Sequence, residues 1–169
     1  MEKNLPVRKR KYIYPFLLSI GFLIASCSNR DVYVGFQHID RGRWYQDSTF
    51  VFRMDSLKID PGKRYDVTVE LSSNSRYPYR NLAIAVENNF RDTLFQTDTL
   101  HILLADEQGR WLGNGVGGLF QLSAPFLHTL SFDAVRSYEV RIRHNMEADP
   151  LPGIEKLGIR IMESREIAR

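Results

Sequence analysis

The sequence predicts an all-β protein, built as an antiparallel β-sandwich of the immunoglobulin-like or jelly-roll-like kind. Three observations predict this class: short runs in which apolar residues alternate with others, turn-forming residues between the runs, and no amphipathic helix longer than about two turns. The chain of 169 residues is long enough for one ordinary domain and too short for two. A closed β-barrel is the alternative architecture.

Seven runs carry the alternation. In each run every second residue is apolar, which directs one set of side chains into a core and the other set toward water. In chain order the apolar sets are Val32, Val34 and Phe36; Phe50, Phe52 and Met54; Val67, Val69 and Leu71; Leu82, Ile84 and Val86; Leu100, Ile102 and Leu104; Tyr138, Val140 and Ile142; and Leu157, Ile159 and Ile161.

Turn-forming residues separate these runs. Asp60-Pro61-Gly62-Lys63 has proline and glycine in the positions of a tight turn. The glycine-rich segment 113–118 would need a helix directly after it to bind an anion, and residues 119–125 do not read as a helix. We therefore expect a flexible or tightly turned connection there. Short helical turns are expected only near residues 105–109 and 154–156.

The first 26 residues have the character of a cleaved signal peptide. A basic segment, Arg-Lys-Arg-Lys at 8–11, precedes an uncharged apolar run of 14 residues at 12–25, whereas a membrane-spanning helix needs about 20. Leu23-Ile24-Ala25-Ser26-Cys27 resembles the bacterial lipobox, a signal in which the cysteine is acylated and becomes the new N-terminus, with palmitate as an expected chain. A free or buried cysteine after an ordinary signal peptide is the alternative.

This interpretation divides the chain into three parts. We predict a signal peptide over 1–26, the acylated Cys27 with a tether over 27–31, and a single β-sandwich domain over 32–169. Serine directly after the cysteine fits delivery to the outer membrane, facing the periplasm. The formal net charge of +3 belongs to the signal peptide, because residues 27–169 carry 18 Lys+Arg and 19 Asp+Glu. Nucleic acid is therefore not an expected partner.

No motif in the sequence carries recognisable chemistry. Nucleophile-elbow, zinc-protease and phosphate-loop patterns are missing, and the single cysteine cannot form an intrachain disulfide. His38, His101, His128 and His144 lie far apart without the spacing of a metal site. We expect no enzymatic activity, no cofactor and no metal.

Aromatic residues offer candidate contact sites instead. Trp44-Tyr45, Tyr77-Pro78-Tyr79 and Trp111 fall at loops or strand ends, where exposed rings could anchor a protein partner or stack on a sugar. The alternative is that these rings fill the ends of the sandwich, which we favour for Trp111 and leave open for Trp44. With Asn114 from the glycine-rich segment, the predicted partner-binding set is Trp44, Tyr77, Tyr79, Trp111 and Asn114.

Four segments together resemble one known family. Tyr77-Pro78-Tyr79-Arg80-Asn81-Leu82, Thr97-Asp98-Thr99-Leu100, the segment from Asp106 to Gly115 and the run after Gly153 are similar, in this order and spacing, to the GldH family of gliding-motility lipoproteins. The resemblance implies a lipoprotein of the Bacteroidota cell envelope, linked to gliding and to type IX secretion. It also implies a non-catalytic accessory subunit that contacts other envelope lipoproteins or secretion and motility proteins. A glycan-binding or glycan-processing surface lipoprotein is the alternative function.

Overall fold

β-strands make up nearly all the regular structure of the protein. The computed structural model describes residues 30–55, 57–133 and 136–165. A single 3₁₀ turn over Asp40–Gly42 follows the first strand. The strands are β1 (Asp31–His38), β2 (Arg43–Trp44), β3 (Phe50–Met54), β4 (Tyr65–Asn74), β5 (Asn81–Asn88), β6 (Gln96–Leu103), β7 (Asn114–Val116), β8 (Leu119–Leu130), β9 (Tyr138–His144), β10 (Leu151–Pro152) and β11 (Ile154–Glu163).

The strands form two principal antiparallel sheets. The first has five strands in the order β1-β11-β4-β8-β7, and the second has four strands in the order β3-β9-β5-β6. β2 and β10 form a small ladder of their own. The two sheets are open rather than joined into a barrel, so the prediction of an antiparallel β-sandwich is confirmed and the barrel alternative is wrong.

The core lies between the inward faces of the two sheets. Six of the seven predicted apolar sets supply it, because their alternation places every second side chain on the inner face. Examples with no solvent exposure are Val67 and Val69 of β4, Ile84 of β5, Ile142 of β9 and Ile159 of β11. Burial of such aliphatic side chains stabilises the fold by about 1.5–3 kcal/mol each.

β1 is the exception, since its alternation runs in the opposite phase. Gly35 and Gln37 lie opposite Ile159 and Leu157 of β11 and therefore face inward. Val34 and Phe36 consequently point away from the core, where they are 43% and 44% exposed. The prediction that these two side chains enter the core is wrong, although Val32, next to a register shift at 31/33, does pack against it.

Two contacts account for this phase. The Gln37 amide donates a hydrogen bond of 2.7 Å to the Val51 carbonyl of β3, which ties β1 to the opposite sheet. Gly35 leaves room for the ring of Tyr33, because a Cβ at position 35 would overlap the end of that ring. A polar residue with a partner and a glycine under an aromatic ring thus occupy the inner face that the two apolar residues were expected to fill.

The turns agree with the sequence more closely than the predicted helices do. Lys63 N–H donates to the Asp60 carbonyl across a turn with Gly62 at a φ of +90°. The glycine-rich segment forms a tight hairpin between β7 and β8, with Gly117 and Gly118 both at positive φ, as a two-residue hairpin turn requires. Neither predicted short helix forms: residues 107–108 make a turn, and residues 154–156 begin β11.

Candidate functional site

The outward-facing side of the five-stranded sheet carries the most distinctive surface of the described residues. Strand register places side chains on this side in rows that cross the sheet. One row runs Phe36, Gly158, Glu70, Ser123, and the next runs His38, Lys156, Ser72, Gln121, Asn114. Apolar, cationic and amide side chains therefore share one sheet face.

A buried carboxylate lies at the centre of this face. Glu70 is only 8% exposed, and its oxygens accept hydrogen bonds from Thr68 Oγ1 at 2.9 Å and Ser123 Oγ at 2.5 Å. Arg160 Nε lies 3.1 Å from Glu70 Oε1 and supplies the compensating charge. A carboxylate taken out of water requires such partners, so this network fixes the centre of the sheet face.

Phe36 lies beside this network and covers a glycine. A Cβ at Gly158 would overlap the Phe36 ring, so only glycine allows the ring to rest on β11. Lys156 Nζ is 4.7 Å from the centroid of the same ring, within the range of a cation–π contact. Among the residues that the structure describes, Lys156 makes no ion pair with a carboxylate. We call Val34, Phe36, Lys156 and Arg160 the Phe36 patch.

A small pocket of about 100 Å³ includes three of the four residues of the Phe36 patch in its lining. Its volume suits a group of a few heavy atoms, such as one side chain of a partner. Its walls combine an aromatic ring and an aliphatic side chain with cationic, carboxylate, amide and hydroxyl groups. The lining residues are Phe36, Glu70, Leu71, Ser72, Gln121, Lys156 and Arg160.

The predicted aromatic contact residues are not brought together on one surface. The Trp44 side chain is fully buried, with edge-on contacts to Phe50 and His144 and a hydrogen bond of 3.2 Å from its indole N–H to the Ser48 carbonyl. Trp44 is therefore a core residue, which answers the question left open by the sequence and removes Trp44 from the predicted partner-binding set. Although β2 has only two residues, its tryptophan reaches the core.

Tyr77 is likewise buried, while its neighbour Tyr79 is exposed. The Tyr77 hydroxyl donates a 2.7 Å hydrogen bond to the Asn81 carbonyl, and burial raises the pKa of this hydroxyl. A Cβ at Gly153 would overlap the Tyr77 backbone, so the loop that carries Tyr77 is packed directly on the β10–β11 connection. Tyr79 makes an edge-on contact with Tyr77 and is 39% exposed, which leaves it available at the surface.

Trp111 and Asn114 lie near the β7–β8 hairpin. The Trp111 ring stacks on Phe120 with centroids 4.6 Å apart and packs partly against the core, in line with the end-filling role favoured for it. Asn114 is exposed and opposite Gln121, on the same sheet face as Lys156. Cys27, the predicted acylation site, lies outside the described residues.

The histidines are scattered, and each has a different environment. His38 and His101 are exposed, and His128 Nδ1 lies 3.5 Å from Asp66 Oδ1. His144 is buried; desolvation lowers its pKa, partly offset by the Trp44 backbone and by Asp149. Within residues 30–55, 57–133 and 136–165, no three histidine, cysteine or carboxylate side chains are grouped as metal ligands.

The residues of the Phe36 patch were not predicted as a site. The signal that could have indicated them is the pair of glycines, Gly35 and Gly158, because a glycine within a strand often marks the close approach of another group.

Within the described residues, no helix has the length and apolar character needed to cross a membrane.

The structure defines the protein as an antiparallel β-sandwich that carries the Phe36 patch on the outward face of its five-stranded sheet. A family model described as GldH lipoprotein matches residues 31–161, which is most of the chain. The chain belongs to the GldH lipoprotein family, as its sequence motifs predicted.

Two relatives and one solved structure illustrate the comparison. The gliding motility lipoprotein GldH homolog of Christiangramia forsetii is 31% identical over 159 residues, covering 90% of this chain and 95% of that protein. Gliding motility lipoprotein GldH of Flavobacterium johnsoniae is 28% identical over 142 residues, covering 83% of this chain and 86% of that protein. The VP2 subviral particle of infectious bursal disease virus is 13% identical with a TM-score of 0.25, covering 83% of this chain and 43% of that chain. This similarity is too low to support an assignment of fold or function.

Proposed function

We propose that the protein is a non-catalytic accessory subunit of the gliding-motility and type IX secretion machinery. In this role Cys27 carries the lipid that holds the chain at the outer membrane, facing the periplasm, and the folded domain contacts other envelope proteins. Membership of the GldH lipoprotein family supports the setting. The main observation in favour of a contact role is that Val34 and Phe36 of β1 point away from the core and are exposed.

The chemistry of the Phe36 patch specifies the kind of partner surface. Two neighbouring apolar side chains on a sheet face lose water favourably when another protein covers them. Lys156, which has no carboxylate partner among the described residues, would pair with an acidic side chain of that protein. The expected complement is therefore an apolar side chain next to an acidic one. Asn114, on the same face, and Tyr79 remain proposed contacts.

The glycan-binding alternative loses its structural motive. It required the rings of Trp44, Tyr45, Tyr77 and Tyr79 to line one open groove, and two of these four rings are buried. Exposed rings remain only at Tyr45 and Tyr79 of that set. A buried ring offers no face to a sugar, so the four rings do not form the shared stacking groove that this alternative required.

The test replaces Phe36 by glutamate in the native host. Phe36→Glu places a carboxylate on the exposed patch, which should repel an acidic partner without disturbing the core. We expect wild-type amounts of membrane-retained protein together with reduced colony spreading and reduced export of type IX cargo. Leu112→Glu is the matched control, since Leu112 is also exposed, at 49%, but belongs to the 104–113 connection between β6 and β7. Normal spreading and export in a well-retained Phe36→Glu strain would argue against the proposed contact.

The anchor is tested separately. Mass spectrometry of the N-terminal peptide from native membranes should show a lipid-modified peptide that begins at Cys27. Cys27→Ala should lose both the modification and membrane retention. An unmodified chain that begins elsewhere would remove the lipoprotein part of the proposal and leave the Phe36 contact to be judged on its own.

A further inference from the structure

The free edge of β6 is a second surface with a defined geometry. β6 is an edge strand of the four-stranded sheet, and its one partner among the described strands is β5, in a continuous register from Asn81↔Leu103 to Asn88↔Gln96. No strand of the described residues pairs with its other side, so this edge of an eight-residue strand offers backbone N–H and C=O groups to a further strand. Such edges are templates for pairing with another strand, and proteins usually guard them.

In the described part of the chain, the other edges of the two principal sheets are guarded. β1 and β3 lie against each other, with the Gln37 side chain bonded to the Val51 carbonyl. β7 is only three residues long, and the part of β8 that extends beyond it contains Pro125 and register shifts. Prolines, bulges, short strands and covered edges all oppose strand addition.

β6 has none of these protections. The strand Gln96–Leu103 contains no proline and no lysine, and its one carboxylate is Asp98. Thr97 and Thr99 are both exposed. Two exposed apolar residues, Phe95 and Leu103, stand at its ends.

The side chains of β6 are arranged symmetrically about Thr99. Phe95 precedes Thr99 by four residues and Leu103 follows it by four, so both share its side of the strand. This is the outward side, because Thr99 lies opposite Ala85 and the Arg141 guanidinium covers the Phe95 ring at 4.2 Å. An antiparallel copy centred on Thr99 would place each Phe95 opposite Leu103 of the other copy.

We propose that β6 pairs with β6 of a second copy of this chain, about a two-fold axis through Thr99. Two four-stranded sheets then become one continuous eight-stranded sheet. The outward pairs across the axis are Thr99 with Thr99, Thr97 with His101 and Phe95 with Leu103, which covers the exposed apolar residues at both ends. Threonine pairs and aromatic–aliphatic pairs are favourable cross-strand neighbours, and a two-fold contact uses the same surface on both copies.

Disulfide formation at single engineered cysteines tests this register. The full chain with Cys27→Ser, purified in detergent, has no other cysteine. In Thr99→Cys, the two Cα atoms would be about 4.5–5.5 Å apart, within disulfide range. In Thr97→Cys, each cysteine would be about 13 Å along the strand from its symmetry mate, which is too far. Thr97 is the matched control because it is exposed on the same side of the same strand.

We expect a disulfide-linked dimer on mild oxidation of Thr99→Cys and at least tenfold less from Thr97→Cys. Equal yields from the two variants would overturn the register, and no dimer from either would overturn the pairing. Sedimentation of the Cys27→Ser chain supplies an independent measurement. Phe95→Lys with Leu103→Lys should shift it to monomer, whereas Leu119→Lys, at an exposed apolar residue on the β7–β8 hairpin of the other sheet, should not. Retention of the β-sheet circular dichroism shows that each variant is folded. All these measurements omit the lipid and the host, so their outcome is separate from that of the proposed motility role.

Discussion

Replacement of Trp44 by alanine distinguishes a core residue from a contact residue. Trp44 has no exposed surface and packs edge-on against Phe50 and His144, with ring centroids 5.5 Å and 5.3 Å away. Removing a buried tryptophan costs about 3–5 kcal/mol, from lost burial and from the cavity that remains. The Ser48 carbonyl also loses its indole donor.

The expected consequence is a large loss of stability. For a domain of this size, 3–5 kcal/mol corresponds to a fall in Tm on the order of 10–20 °C. Urea unfolding followed by circular dichroism measures it, with the free energy taken from the linear dependence on denaturant. Tyr79→Ala is the control, because Tyr79 is 39% exposed and its loss should cost no more than about 1 kcal/mol. A Trp44→Ala protein within 1 kcal/mol of wild type would refute the assignment of Trp44 to the core.

Three further changes have outcomes that the structure specifies. Gly153→Ala should destabilise the fold by more than about 2 kcal/mol in urea unfolding, because residue 153 has a φ of +83° and the alanine Cβ would overlap the Tyr77 backbone. Gly109→Ala is the control: residue 109 has a φ of +77° but open space around it, so this change should cost only about 1 kcal/mol. Arg160→Met should lower the free energy of unfolding by about 1–3 kcal/mol, because it removes the cation beside Glu70. The double variant Arg160→Met with Glu70→Gln should recover part of this loss. No recovery would contradict the energetic coupling between Arg160 and Glu70. Because the pKa of His144 is lowered in the folded protein, the unfolded chain binds a proton more tightly at this residue, and stability should fall as the pH drops below the unfolded pKa near 6.5. His144→Gln should reduce this pH dependence in a series of unfolding midpoints. An unchanged slope would exclude His144 as its source.

Alternation predicted the sandwich because period two is a direct consequence of strand geometry. It could not predict the phase of β1. Period two assigns apolar residues to the core by default, and the contacts that reverse this assignment join Gln37 to Val51, a residue on a different sheet. A hydrogen bond between distant segments leaves no periodic trace in the sequence.

β8 was missed for a different reason. Phe120, Leu122, Ala124 and Phe126 do alternate along this strand of 12 residues. Pro125 normally argues against a strand. Here it lies opposite Thr68 of β4, next to register shifts and in the part of β8 that extends beyond β7, and an edge of this kind tolerates proline. The fate of Trp44 was equally hidden, since a two-residue strand has no period to read.

The pairing of β1 with β11 also sets the order in which the chain can fold. Residues 33–38 of β1 find their partners at 156–161, at the far end of the folded region. The five-stranded sheet therefore cannot be completed until almost the whole sequence has been synthesised, and long-range pairing of this kind forms slowly. If residues 1–26 act as the predicted export signal, β1 would still lack its partner during most of synthesis, which would delay completion of the fold while the chain is being exported.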